Sequence, residues 1–273
     1  MKKIGLIHST CPNDTFVFHA WTHGLIPNAP EVELRYADVD EANALAVAAD
    51  LDVVKVSYAA LPWLLDRYAL LPCGGALGRG CGPLVLTQGR TDLTGARVAV
   101  PGERTTAYLL FRLYASGVNL GQVDVLPFPE IMPAVAAGKY DAGLVIHEAR
   151  FTYKAHGLTN LVDLGDWWEK ETGAAIPLGA IVCRRTLDPA PIIAAIQASV
   201  DHAWNSPAAS RSYVQKMAQE MDPKVADAHI ALYVNASTRQ MTNDDFRAVR
   251  TLLDRASAAE LAPKVTLAIP RFR

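Results

Sequence analysis

Four polar stretches follow apolar, β-branched runs, and in an open α/β sheet the carboxyl ends of strands are where a ligand meets the fold. Ser9-Thr10-Cys11-Pro12-Asn13-Asp14-Thr15 follows residues 3–8. Ser57-Tyr58 follows residues 51–56. Glu103-Arg104-Thr105-Thr106-Ala107 follows residues 96–100, and His147-Glu148-Ala149-Arg150 follows residues 142–146. His147 is the leading candidate for moving a proton, because imidazole titrates near neutral pH. The competing reading is a hydrogen-bonded structural histidine. Glu148 alternates to the other face and is expected to pair with Arg150.

Thr105-Thr106-Ala107 opens a helix after Pro101-Gly102. Free backbone N–H groups at a helix start bind anions, and hydroxyls add donors. One threonine is enough for ordinary N-capping. Two in succession beside Arg104 raise the case for a ligand, and a carboxylate is the expected guest. Ser57 can donate to a ligand oxygen, but no histidine adjoins it in sequence to make it a nucleophile. Asn43 lies on a helix and either reaches the cleft or faces water. Asn13 and Asp14 either order the first loop or touch the ligand, and Asp14 is also expected to cap a helix. Trp167-Trp168 either walls an aromatic substrate or packs.

Other chemistries lack their signatures. His19 and His23 stand four apart but have no third metal ligand nearby, so no metal site is expected. Cys11, Cys73, Cys81 and Cys183 form no C-x-x-C pair and read as core thiols. Cys73 and Cys81 flank a glycine-rich loop near a possible cleft, but neither has a nucleophile's surroundings. No Walker loop, HExxH or GxSxG occurs. The glycines of 74–82 follow no clear strand and open no clear helix.

The positioning elements alternate strand and helix, the pattern of an α/β fold. Strands are expected at 3–8, 33–36, 51–56, 83–87, 96–100, 123–126, 142–146 and 179–184. Helices are expected after Asp14, after Asp40, around 62–68, opening at Thr105 or Thr106, over 130–137 and over 189–204. Three more follow Ser206-Pro207, Asp222-Pro223 and Thr242. Residues 179–184 and 82–87 are both glycine-led apolar runs at a change of unit. The chain is therefore expected to leave its first lobe near 88 and return near 180. That gives lobe one as 1–88 plus a mostly helical 181–273, lobe two as 89–180, a two-segment hinge, and a cleft between them.

Composition agrees with such a protein. The chain has 273 residues, 51% hydrophobic and 20% charged, with a net charge of −2. Length fits two domains and hydrophobicity excludes wholesale disorder. A near-neutral balance argues against nucleic acid as a partner. No apolar run is long enough for membrane insertion. Residues 27–66 hold eight acids against Arg35 and Lys55, which reads as a solvated face. The basic start breaks off its apolar run at Ile7, unlike a secretory signal, so a cytoplasmic location and a small-molecule partner are expected.

Several motifs, in order, resemble the 1,4-dihydroxy-6-naphthoate synthases of the futalosine route to menaquinone. They are Cys-Pro-Asn-Asp-Thr-Phe (11–16), Lys-Val-Ser-Tyr-Ala-Ala (55–60) and Gly-Gly-Ala-Leu-Gly-Arg-Gly (74–80). Val-Pro-Gly-Glu-Arg-Thr-Thr-Ala-Tyr (100–108), His-Glu-Ala-Arg-Phe-Thr-Tyr (147–153) and Leu-Gly-Asp-Trp-Trp-Glu (164–169) continue the match, and Tyr-Val-Asn-Ala (233–236) extends it. Thr10 departs from the proline expected before the first motif, which alters loop stiffness and removes no reactive group. The resemblance implies a fold like the type II periplasmic binding proteins. It implies a carbon–carbon lyase, without metal or organic cofactor, that cleaves cyclic dehypoxanthine futalosine to 1,4-dihydroxy-6-naphthoate and dihydroxyacetone. It implies His147 as base, with Asn43, Ser57, Thr106 and Ala107 at the ligand. Two other readings stand beside it: a chorismate dehydratase-like lyase, and a non-catalytic solute-binding protein on the same fold.

Overall fold

A computed structural model describes residues 3–218 and 222–267. The first half of the chain runs β1 (Ile4–His8), α1 (Pro12–Thr22), β2 (Val32–Tyr36), α2 (Val39–Ala48), β3 (Val53–Ser57), a 3-10 turn (Tyr58–Trp63), β4 (Tyr68–Leu70) and β5 (Ala76–Gly78). There follow β6 (Leu84–Thr87), β7 (Val98–Val100), α3 (Thr106–Tyr114), β8 (Val123–Val125), α4 (Phe128–Ala136), β9 (Ala142–Val145), α5 (Ala149–Thr152), a 3-10 turn (Tyr153–His156), β10 (Thr159–Asp163) and α6 (Leu164–Thr172). The chain closes with β11 (Ile176–Arg184), α7 (Pro189–Asn205), α8 (Ala208–Met217), α9 (Pro223–Tyr233), α10 (Ala236–Arg239) and α11 (Asn243–Ala258).

Two sheets result. The first has the order β2-β1-β3-β11-β4, with β5 also on β11. Its β1 runs parallel to β2 and β3, and β11 runs antiparallel to β3. The second has the order β10-β6-β9-β7-β8, with β7 parallel to β8 and β9 and β6 antiparallel to β9. Strands such as Val53–Ser57 and Ala142–Val145 are buried along their whole length, as sheets covered on both faces require. Trp21, Ile192, Ile196 and Val200 pack on one side of the first sheet, and Phe246, Val249 and Leu252 of α11 pack on the core that both sheets share. Each such large apolar side chain contributes about 1.5–3 kcal/mol when buried.

Several expectations need correction. Leu84–Thr87 belongs to the second sheet, pairing with β9 and β10, and β11 begins at Ile176. The chain therefore changes sheets between Gly78 and Leu84 and between Asp163 and Ile176, ahead of the boundaries expected at 88 and 180. The helix after β1 starts at Pro12 with Cys11 as N-cap, and Asp14 sits in its first turn without capping it. Proline is pre-set for the first helical position, which moves the start upstream of Asp14. Asp38 rather than Asp40 precedes α2. Residues 62–68 are not a helix: Pro62 sits within a 3-10 turn, and Tyr68 starts β4. Ser206 does not cap α8, whose N-cap is Pro207. Asp222 and Thr242 do cap α9 and α11, with Thr242 and Asp245 forming a capping box. No helix among the described residues is long and apolar enough to cross a membrane.

Candidate functional site

The carboxyl ends of β1, β3, β7 and β9 converge on one cavity of about 90 Å3. Ser9, Asn13, Asp14, Lys55, Ser57, Thr105, Thr106, Ala107, His147, His229 and Tyr233 line it. Asn43, also expected at the ligand from sequence, does not line this cavity.

The start of α3 forms one wall of the cavity. Thr105 is its N-cap: its hydroxyl accepts from Tyr108 N–H and donates to the Gly102 carbonyl. The Thr106 hydroxyl donates to the Leu178 carbonyl at 2.9 Å and accepts from Ala59 N–H at 3.2 Å. Both hydroxyls are thus engaged within the protein, contrary to the expectation that they serve the ligand. What this helix start offers is the N–H groups of Thr106 and Ala107, which occupy the first two helical positions and have no partner inside the helix.

Asn43 stands behind Ser57 and is almost fully buried. It accepts from Ser57 N–H at 2.8 Å, donates to Ser57 Oγ at 3.1 Å, and donates to the Arg104 carbonyl at 3.3 Å. It neither faces water nor lines the cavity. It holds the end of β3 against the loop before α3.

Lys55 is the cation that sequence reasoning overlooked. Its ammonium lines the cavity and forms a buried ion pair with Asp14. Asp14 also accepts from Ser9 Oγ at 2.7 Å and from Asn13 Nδ2 at 3.0 Å. Burial pushes the Asp14 carboxyl up, but Lys55, His8 and the Ser9 hydroxyl outweigh it and hold the group below its ordinary value. The carboxylate that was expected to cap a helix instead fixes a lysine in the cavity. A lysine inside a strand carries no local pattern; its neighbour at Asp14 is set by the fold.

His147 follows β9 by one residue and takes a positive φ of 54°, a left-handed conformation that histidine enters more readily than most residues. Its Nδ1 lies 3.2 Å from Cys11 Sγ, and Phe128 packs edge-on to its ring. Burial pushes its pKa down to about 4, so the ring is neutral at pH 7 and free to accept a proton. Burial, with Glu148 and Asp14, raises the Cys11 thiol well above its usual value, so it stays protonated. Cys11, His147 and Glu148 place one ligand atom each within 4.8 Å of one another. Arg150 pairs with Asp163 and donates to the Gly82 carbonyl, so the expected Glu148–Arg150 pair is absent among the described ion pairs.

His229 and Tyr233 enter the cavity from α9. Neither was expected. Tyr233-Val-Asn-Ala had marked this region, and Asn235 caps α10 and donates to the Leu77 carbonyl at 2.9 Å, which ties α9 to the first sheet. Trp167 and Trp168 do not wall the cavity. Trp168 is fully buried in the core with Nε1 donating to the Ala175 carbonyl, and Trp167 packs edge-on to Tyr114. Cys81 lines the cavity, but burial pushes its thiol up to about 12, and Cys73 is a core residue likewise pushed up to about 12. Neither is a nucleophile at neutral pH.

The profile of a family described as Menaquinone biosynthesis matches residues 4–258. A Streptomyces coelicolor protein named 1,4-dihydroxy-6-naphtoate synthase is 57% identical over 266 residues, covering 94% of both chains. A Thermus thermophilus protein of the same name is 44% identical, covering 96% of this chain and 97% of its own. Among solved structures, a protein from Archaeoglobus fulgidus superposes with a TM-score of 0.90 at 34% identity, covering 95% of this chain and 98% of its own. The alkanesulfonate-binding protein SsuA of Xanthomonas axonopodis superposes with a TM-score of 0.71 at 15% identity, covering 96% and 94%. The expected periplasmic-binding-protein-like fold is therefore the observed one.

Proposed function

The chain belongs to the menaquinone biosynthesis family, and from that membership we propose that it is a carbon–carbon lyase that splits cyclic dehypoxanthine futalosine into 1,4-dihydroxy-6-naphthoate and dihydroxyacetone. The observation that carries this reading is the meeting, in one cavity, of the partnerless N–H groups of Thr106 and Ala107, the Lys55 ammonium and the neutral imidazole of His147. The aromatic carboxylate of the substrate binds at the start of α3, where unpaired N–H groups and the helix dipole favour an anion. Ser57, braced by Asn43, donates to a substrate oxygen. Lys55 adds positive charge on the same wall and is kept in place by Asp14.

His147 then acts as the base. It takes the proton of a substrate hydroxyl, the O–H electrons become a new C=O bond, and the adjacent C–C bond breaks. The electrons of that bond pass through the carbon it leaves onto the carbonyl beside that carbon, giving an enolate, and the imidazolium returns its proton to this same enolate. The sum is redox-neutral and consumes no water. A neutral histidine is in the state a base requires, and a cavity that shields the reaction from water strengthens each of these interactions. The two sheets, each with its helices, form the halves of the closing cleft, and the enzyme works on a small molecule in the cytoplasm.

The test is incubation of the purified protein with cyclic dehypoxanthine futalosine and, separately, with chorismate. Product is expected from the first alone. Turnover of chorismate would favour the dehydratase reading, and binding without turnover would favour a solute-binding protein.

A further inference from the structure

His229 is 1% exposed, yet it lines the cavity opposite His147, with the two ring centroids 6.3 Å apart and the planes at 83°. Its Nδ1 has no hydrogen-bond partner. Buried polar atoms are nearly always paired, and the exceptions in a native protein point to a missing partner. Tyr233 packs on the same ring at 4.5 Å and Phe151 lies edge-on at 6.5 Å, so aromatic walls fix the imidazole while leaving a nitrogen unanswered. The placement is built from a distance. Asp222 caps α9 by accepting from Lys224 N–H, and α9 packs on α1, bringing its one histidine over the cavity.

We propose that His229 is a second catalytic residue, a neutral imidazole whose N–H donates to the substrate carbonyl oxygen on which negative charge gathers as the carbon–carbon bond breaks. This rests on the reaction proposed above. In that step the hydroxyl proton moves to His147, the C–C electrons move onto the carbonyl to give an enolate, and the proton on His147 goes to that enolate. His229 holds a hydrogen bond throughout and transfers no proton, so the balance is unchanged. The groups facing it are His147, Tyr233 and Phe151, with the charges of Asp14 and Lys55 beyond. Burial, then His147, push its pKa down to about 3, so it is an uncharged donor at neutral pH. Such a donor polarises a carbonyl without adding a charge that would repel the imidazolium formed on His147. Two histidines in one cavity then divide the work: one accepts the proton, the other steadies the oxygen.

The test compares His229→Phe, which fills the space without a donor, with His229→Gln, which keeps an N–H. Loss of one such donor lowers kcat by about 10²–10³-fold. His229→Phe is expected to show that loss with KM within about threefold of the parent, and His229→Gln to recover at least about tenfold of it. Active-site concentration is set by titration with 1,4-dihydroxy-6-naphthoate. A His229→Phe kcat within about threefold of the parent would overturn the proposal, as would equal losses in both variants. A second readout needs no folded variant with Phe: in the unsubstituted protein labelled with 15N-histidine, 1,4-dihydroxy-6-naphthoate is expected to shift a His229 ring nitrogen. No shift on saturation would overturn the proposal. An unsubstituted protein that binds this product with that shift but turns over no substrate would sink the reaction, and the catalytic role of His229 with it, while leaving the contact intact.

Discussion

Cys11 Sγ and His147 Nδ1 lie 3.2 Å apart across the cleft, although 136 positions separate the two residues in the chain. Cys11 follows β1 of the first sheet and His147 follows β9 of the second. The contact therefore joins the two halves at His147, and it orients the ring that the left-handed backbone of this residue presents.

Cys11→Ala removes that contact and leaves His147 without its Nδ1 neighbour. A hydrogen bond of this kind is worth about 0.5–1.5 kcal/mol, so kcat is expected to fall about two- to tenfold. KM should hardly move. Cys11→Ser, which keeps a donor and acceptor, should retain most of the rate in steady-state kinetics.

The buried Asp14–Lys55 pair makes a prediction about stability. Removing one partner strands the other, which costs about 3–5 kcal/mol. Asp14→Asn is expected to lower the urea midpoint more than the double variant Asp14→Asn with Lys55→Met, because the latter leaves no buried charge alone. The folded Asp14 carboxyl sits below its ordinary value near 3.8. Its contribution is therefore fully present above that pH and is lost as the pH falls below it.

His147 and His229 act in the same direction over a higher pH range. Their pKa values are pushed down to about 4 and about 3, from the ordinary imidazole value near 6.5. Below pH 6.5 the unfolded chain binds protons that the folded one refuses, so stability falls as the pH drops from neutrality. Melting temperature should decline between pH 7 and 5. Over the same range kcat/KM should show no inflection at 6.5, since His147 stays neutral. An acid limb centred near 6.5 in the folded enzyme would contradict the burial of this ring.

Gly82 marks the crossing between sheets. A Cβ there would lie 2.2 Å from Gly165 N and 2.3 Å from its Cα, both backbone atoms that cannot swing aside. Overpacking typically costs about 1–3 kcal/mol. Gly82→Ala should therefore lower the denaturation midpoint, and it should weaken activity by displacing Arg150, which donates to the Gly82 carbonyl at 2.7 Å.

How much of this was legible depended on whether the signal was local. The start of α3 at Thr105 or Thr106 and the stop of α4 before Gly138 are written in adjacent residues, and the structure puts the cap at Thr105. His147 was legible because it follows an apolar strand, and Ser57 for the same reason. Lys55 and His229 were not, because each enters the site through tertiary pairing: one with Asp14, the other by the packing of α9. Sheet membership failed on the same ground. Residues 84–87 look alike whichever sheet they join, and only pairing with β9 and β10 assigns them. For Trp167-Trp168 the sequence leaves substrate wall and packing open, and α6 settles on packing by burying Trp168 and turning Trp167 onto Tyr114.

The most direct test is turnover of cyclic dehypoxanthine futalosine by the parent protein and by His147→Gln, with both products quantified. The account predicts equal amounts of 1,4-dihydroxy-6-naphthoate and dihydroxyacetone from the parent. It predicts a loss of about 10²–10⁴-fold in kcat for the variant, the usual worth of a positioned base. A parent that forms neither product, or a His147→Gln protein that works at near-parental rate, would contradict it.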